Sequence, residues 1–120
     1  MKVELSKTFK FDAAHYLPFV SDDHKCKKLH GHSWKIEITV RGEVDREKGW
    51  FMDFKDIKVA WHPVYEILDH STLNEIKGLE NPTSETLAVW LWDKLSYKLP
   101  GLSAITVFET DTAKCVYTGD

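Results

Sequence analysis

Between His30 and Arg41 the chain alternates without a break. His30, His32, Trp34, Ile36, Ile38 and Val40 occupy the even positions, and Gly31, Ser33, Lys35, Glu37, Thr39 and Arg41 the odd ones. Period two sustained over this length constrains residues 29–42 to a half-buried β-strand. A helix would scatter the same apolar set around its circumference. The alternation also places two histidines on the apolar face, where a solvated imidazole does not belong.

Residues 3–14 read as a second strand, with Phe9, Phe11, Ala13 and His15 on one face. Residues 19–28 are a polar loop, "GEVDREKG" is a turn, and "WFMDF" is a short extended segment. Asp53 is an N-cap candidate for a helix from Phe54 to Leu68, whose residues Ile57, Ala60, Trp61, Val64, Ile67 and Leu68 follow helical spacing. Pro63 inside that pattern predicts a kink or a break. A second helix is expected from about Thr83 to Tyr97, with Leu87, Leu91 and Leu95 on one stripe, and "SAITVFET" and "KCVYTG" read as two further strands. The order β-β-α-α-β-β predicts an α+β fold, an antiparallel sheet with two helices on one face. Such a sheet has two open edges, which small proteins often resolve by pairing subunits.

Composition narrows the functional classes. A chain of 120 residues without repeat or linker is expected to form a single domain over 1–120. Net charge is −3 and the basic residues are spread along the chain, which argues against a general nucleic-acid surface. Two cysteines do not make a disulfide framework, no apolar run approaches a membrane span, and the opening segment lacks the apolar core of a leader. A cytoplasmic protein is therefore expected. Five tryptophans in so short a chain imply a large aromatic core or a subunit interface.

Successive same-face residues of a strand lie about 6.6 Å apart, given a rise of about 3.3 Å per residue. Imidazoles at i and i+2 can thus converge on one ion, at about 2.0–2.1 Å from each nitrogen for zinc. His15 ends the first strand on its apolar face, where an antiparallel partner would bring it beside His30 and His32. Three histidines with an open position form a catalytic zinc arrangement. The competing reading is a set of hydrogen-bonded core histidines. His24 and His62 sit in polar surroundings and read as surface residues.

Cys26 lies four residues before His30, among Lys25, Lys27 and Lys28. It can be a fourth zinc ligand, a thiolate favoured by the lysines, or a plain loop cysteine. Cys115 reads as a small core residue. Asp69 and His70 end the first helix, where a carboxylate opposes the helix dipole unless it has a partner. Glu109 continues the Ile105–Val107 face, so its carboxylate either needs donors or emerges into water.

Taken in order, "FKFDAAHYLP", "CKKLHGH", "LDHSTLN", "ENPTSE" and "VFET" resemble the 6-pyruvoyltetrahydropterin synthase family over essentially the whole chain. The spacing Cys-x3-His-Gly-His is similar to the bacterial branch that forms 6-carboxytetrahydropterin for queuosine and deazapurines. The resemblance implies a tunnelling fold whose subunits join sheets into a barrel, usually as a homohexamer with interfacial active sites. It implies a zinc cofactor on His15, His30 and His32, with Cys26 as proton-abstracting base. It further implies that Asp69 and His70 form a relay and that Glu109 anchors the pterin. The implied reaction is a lyase conversion of 7,8-dihydroneopterin triphosphate to 6-carboxytetrahydropterin, acetaldehyde and triphosphate. The lysines around Cys26 are candidates for the triphosphate. Rival readings are the pyruvoyl-forming synthase of the same family, a zinc hydrolase, and a non-catalytic zinc-stabilised interaction module.

Overall fold

The alternating segment forms β2 (His30–Glu43), paired antiparallel with β1 (Lys2–His15) from Lys2↔Glu43 to His15↔His30 without a shift in register. The computed structural model describes residues 1–120. Helix α1 (Phe54–Leu68) and helix α2 (Ser84–Leu95) follow, separated by a two-residue strand β3 (Ser71–Thr72). Strands β4 (Leu102–Thr110) and β5 (Ala113–Tyr117) close the chain. The sheet order is β3-β1-β2-β4-β5, antiparallel throughout except for β3, which runs parallel to β1 at Ala13 and Ala14. The expected four strands are therefore present with a fifth, too short to carry any periodicity.

One face of the sheet meets both helices. Trp34, Ile36, Ile38 and Val40 of β2 and Ile105 and Val107 of β4 are fully buried there. Asp53 caps α1 by accepting from Lys55 N–H at 2.9 Å, and Thr83 caps α2 by accepting from Thr86 N–H at 3.1 Å. Helix α1 continues through Pro63 without a break. Proline in a helix interior costs about 3 kcal/mol. Burial of Ile57, Trp61, Val64 and Leu68 outweighs this at about 1.5–3 kcal/mol per large side chain. Pro63 and Val59 are both exposed, so water can reach the carbonyl that the proline leaves unbonded. Ile67, expected on the buried stripe, is exposed instead. Helix α2 ends at Leu95, two residues short of the expected end.

The molecule is elongated, 58 × 24 × 23 Å. Strand β3 covers β1 only at Ala13 and Ala14, and Asp69 and His70 bond the backbone of Asp12, so the outer edge of β1 is unpaired from Lys2 to Phe11. The outer edge of β5 is also unpaired. Trp34, Trp61 and Trp90 are core residues, Trp92 packs on Tyr117 with ring centroids 5.6 Å apart, and Trp50 is exposed.

Candidate metal centre and its flanking residues

The unshifted β1–β2 register puts His15 directly opposite His30, and Ala13 opposite His32. The three rings gather at the end of the hairpin, with centroids 4.6 Å (His15–His30), 5.1 Å (His15–His32) and 4.9 Å (His30–His32) apart. They stand steeply to one another, edge toward face. One ligand atom from each lies within 4.8 Å of the other two. Trp34, next on the same face of β2, forms the floor of the group, 4.9 Å from His15 and 5.3 Å from His32. Its Nε1–H donates to the Ala13 carbonyl at 3.2 Å, which fixes the indole.

The outward bonds of the imidazoles set their tautomers. His15 Nδ1 lies 2.9 Å from the Pro82 carbonyl and His30 Nδ1 lies 2.7 Å from the Lys28 carbonyl. A carbonyl only accepts, so each Nδ1 carries a proton, and the neutral ring then keeps its lone pair at Nε2. This is the outer-shell arrangement that orients metal-binding histidines. His15 Nε2 and His32 Nε2 are buried without a hydrogen-bond partner. Burial is the main cause holding both histidines below the ordinary imidazole range, with the Pro82 carbonyl and the Glu109 charge opposing it at His15 and the Glu109 charge at His32. Neutral imidazoles with orphaned, converging nitrogens fit a metal ion that takes nitrogen donors.

Cys26 stands outside this donor group, which contains the three histidines alone. It occupies a 3-10 turn, Lys25–Lys27, in a loop closed onto the end of β1 by Leu17 N–H donating to the Cys26 carbonyl at 2.8 Å. His24 has a local duty there, since its Nδ1 accepts from Cys26 N–H at 3.1 Å. The thiol is free and half-buried. Of the nearby lysines, Lys27 is committed to the loop. Its ammonium donates to the Pro18 and Val20 carbonyls at 2.8 and 3.3 Å and lies 3.5 Å from Asp22.

Glu109 reaches the histidines from β4. Its Oε1 lies 3.5 Å from His32 Nε2, and its Oε2 accepts from the Ser84 hydroxyl at 3.0 Å at the start of α2. The pairing with β5 shifts register between Phe108 and Thr110, and the Glu109 side chain is 31% exposed while Val107 is wholly buried. The strand thus keeps Glu109 on the inward face but lets it out at the rim.

Asp69 and His70 form a separate pair beside β1. Asp69 follows the last turn of α1, where its N–H donates to the Tyr65 carbonyl at 2.9 Å. Its Oδ1 accepts from Asp12 N–H at 3.0 Å, and its Oδ2 accepts from the Tyr65 hydroxyl at 3.0 Å and from His70 Nδ1–H at 2.7 Å. These donors, Asp12 N–H foremost, hold the carboxyl below its ordinary range, and the bond to Asp69 pushes the exposed His70 imidazole up. The carboxylate that opposed the helix dipole therefore has its partners. His70 has a φ of 59°, and its N–H donates to the Asp12 carbonyl at 2.6 Å. An open hollow of about 540 Å³ lies beside the pair, and its lining includes Asp12, Ser33, His70 and Ser71 together with His32 of the donor group. Within one chain, the hydrogen bonds and ion pairs of Asp69 and His70 lead to α1 and β1, and none leads to Cys26 or the three histidines.

Three further contributors have roles that the motifs do not state, although "ENPTSE" spans Pro82 and Ser84. Pro82 acts through its carbonyl, which no side-chain pattern reveals. Ser84 stands in that motif and at a helix start, and neither reveals its bond to Glu109. Trp34 could be found, as the next residue after His32 on the apolar face.

A family model described as 6-pyruvoyl tetrahydropterin synthase matches residues 4–120. The chain is 41% identical over 117 residues to a 6-carboxy-5,6,7,8-tetrahydropterin synthase of Synechocystis sp., covering 92% of this chain and 89% of the relative. It is 37% identical over 101 residues to the dihydroneopterin monophosphate aldolase of Pyrococcus furiosus, covering 84% and 82%. The 6-pyruvoyl tetrahydropterin synthase structure of Caenorhabditis elegans superposes with a TM-score of 0.91 at 27% identity, covering 100% of this chain and 97% of that one.

Proposed function

The chain belongs to the 6-pyruvoyl tetrahydropterin synthase family, and from that premise we propose that it is a zinc-dependent carbon–carbon lyase. It converts 7,8-dihydroneopterin triphosphate to 6-carboxytetrahydropterin, acetaldehyde and triphosphate, as a cytoplasmic step toward queuosine and related deazapurines. The observation that carries this reading is the three-histidine donor group at the end of the β1–β2 pair. The 41% identity to a relative named for the 6-carboxy product supports the branch.

His15, His30 and His32 would hold the zinc through Nε2. The ion would supply Lewis acidity to the side-chain hydroxyls of the substrate. Glu109 anchors the pterin by accepting from its 2-amino and N3–H groups, with charge-assisted bonds. The Cys26 thiolate takes the proton from the first side-chain carbon. The electron pair of that C–H bond passes into the ring C=N, so the ring is reduced without an external reductant. His70 acts as general acid. Its bond to Asp69 extends the pH range over which it stays protonated. Loss of triphosphate, and cleavage of the carbon–carbon bond with uptake of one water whose oxygen enters the new carboxylate, complete the reaction. With Lys27 committed to its loop, Lys25 and Lys28 are the lysines left for the triphosphate.

No hydrogen bond or ion pair joins the Asp69–His70 pair to Cys26 within one chain, which favours an active site completed by a second subunit. The open edges of β1 and β5 provide the means to assemble, and we infer a homohexamer.

Incubating the purified protein with dihydroneopterin triphosphate and identifying the products tests the reading. Acetaldehyde and a 6-carboxy pterin are expected in equal amounts. A pyruvoyl product without acetaldehyde, or turnover of only the monophosphate ester, would overturn it.

A further inference from the structure

The Asp69–His70 pair has a third member that no motif identifies. Tyr65 lies one turn before Asp69 and is bonded to it twice, through the Asp69 N–H to its carbonyl and through its own hydroxyl to Asp69 Oδ2. That same oxygen accepts His70 Nδ1–H at 2.7 Å, while Oδ1 is held by Asp12 N–H. The carboxylate is thus fixed at both oxygens, and one of them is shared between a phenol and an imidazole. We propose that Tyr65 is a positioning residue of the pair, competing with His70 for the charge on Asp69 Oδ2 and so making the His70 imidazolium a stronger acid.

The inference rests on the reading of His70 as general acid. A carboxylate stabilises a bonded imidazolium and makes it slow to give up its proton. A second donor on the same oxygen draws off part of that charge, which weakens the hold on the imidazolium. Tyr65 remains a donor across the range in which His70 titrates, because its bond to Asp69 pushes the phenol further above an already high value. Its ring is held independently of the hydroxyl, with centroids 6.5 Å from Trp61 and 6.4 Å from His62. Phenylalanine would keep that packing. The other charged groups around the cluster are Asp12 on β1, which faces both Tyr65 and His70, Glu66 on α1, and Lys10, Lys58 and His62 around the Tyr65 ring. None of these side chains bonds the Asp69 carboxylate.

The test is a histidine-resolved NMR titration of the full-length, metal-loaded protein, with His70 assigned by its disappearance in His70→Gln. In Tyr65→Phe the His70 midpoint should move to higher pH, with metal content unchanged and the protein still folded. The limb of the pH–rate profile that His70 sets should move with it. An unchanged or lowered midpoint would overturn the proposal. In an Asp69→Asn background the same tyrosine change should leave the midpoint where it is, and an equal shift there would also overturn it. Full turnover by His70→Gln would defeat the general-acid reading, while the titration still judges the coupling between Tyr65 and His70.

Discussion

Replacing Glu109 by glutamine isolates the charge of the proposed pterin anchor from its shape. In the structure Oε2 accepts from the Ser84 hydroxyl and Oε1 faces His32 Nε2, a buried nitrogen with no other partner. Glutamine can keep one acceptor and must place an amide N–H₂ at the other position. A pterin presents two donors on one edge, so one of its bonds is lost and a donor then faces a donor. Losing one charge-assisted bond costs about 1.5–3 kcal/mol, or roughly ten- to a hundredfold in affinity. The global fold should be unaffected, because the carboxylate stands at a rim and not in the core. Calorimetric titration with a non-reacting pterin reads the affinity, and metal analysis of the same samples checks the neighbouring histidines. Ser84→Ala should give a smaller loss, since it frees one oxygen without removing charge. Unchanged pterin affinity in Glu109→Gln would show that another residue reads the ring.

Metal analysis separates the roles of the histidines and the cysteine. Wild type should hold one zinc per chain, His30→Ala should lose most of it, and full retention there would refute the three-histidine site. Cys26→Ala should keep its metal and lose turnover, whereas loss of zinc in step with activity would make the thiol a ligand. The metal-free protein should also be acid-sensitive. His15 and His32 titrate below their ordinary values when folded, so the unfolded chain binds more protons as pH falls through about 6.5. The stability that they contribute is full above that pH and declines below it, toward their folded midpoints. Urea titrations of metal-free protein across this window should show the decline, and a flat profile would refute the buried-neutral assignment.

The parts of this molecule that repeat a period are legible in its sequence. β2 showed itself through alternation and α2 through Leu87, Leu91 and Leu95, all buried as expected. The meeting of His15 with His30 follows from pairing two such strands at one end. What stayed hidden depends on single bonds between distant segments. β3 is two residues long and exists because the turn at His70 brings Ser71 and Thr72 alongside β1. The support of His15 comes from a backbone carbonyl 67 residues away. Lys27 looked like a free cation because the loop carbonyls that hold it carry no side-chain signature. Ile67 fits a helical stripe but falls on the side of α1 that no strand covers.

The left-handed backbone of His70 bears on any effort to engineer this protein. A side chain with a Cβ is disfavoured at a φ of 59°, and glycine is not. Directed evolution for heat resistance alone would therefore be drawn to glycine at position 70, where the strain is relieved and little packing is lost, because the imidazole is 78% exposed. The same change deletes the imidazole bonded to Asp69. A thermostability campaign that never assays turnover would thus tend to enrich hardy proteins lacking that group, and position 70 should be held constant in any such library.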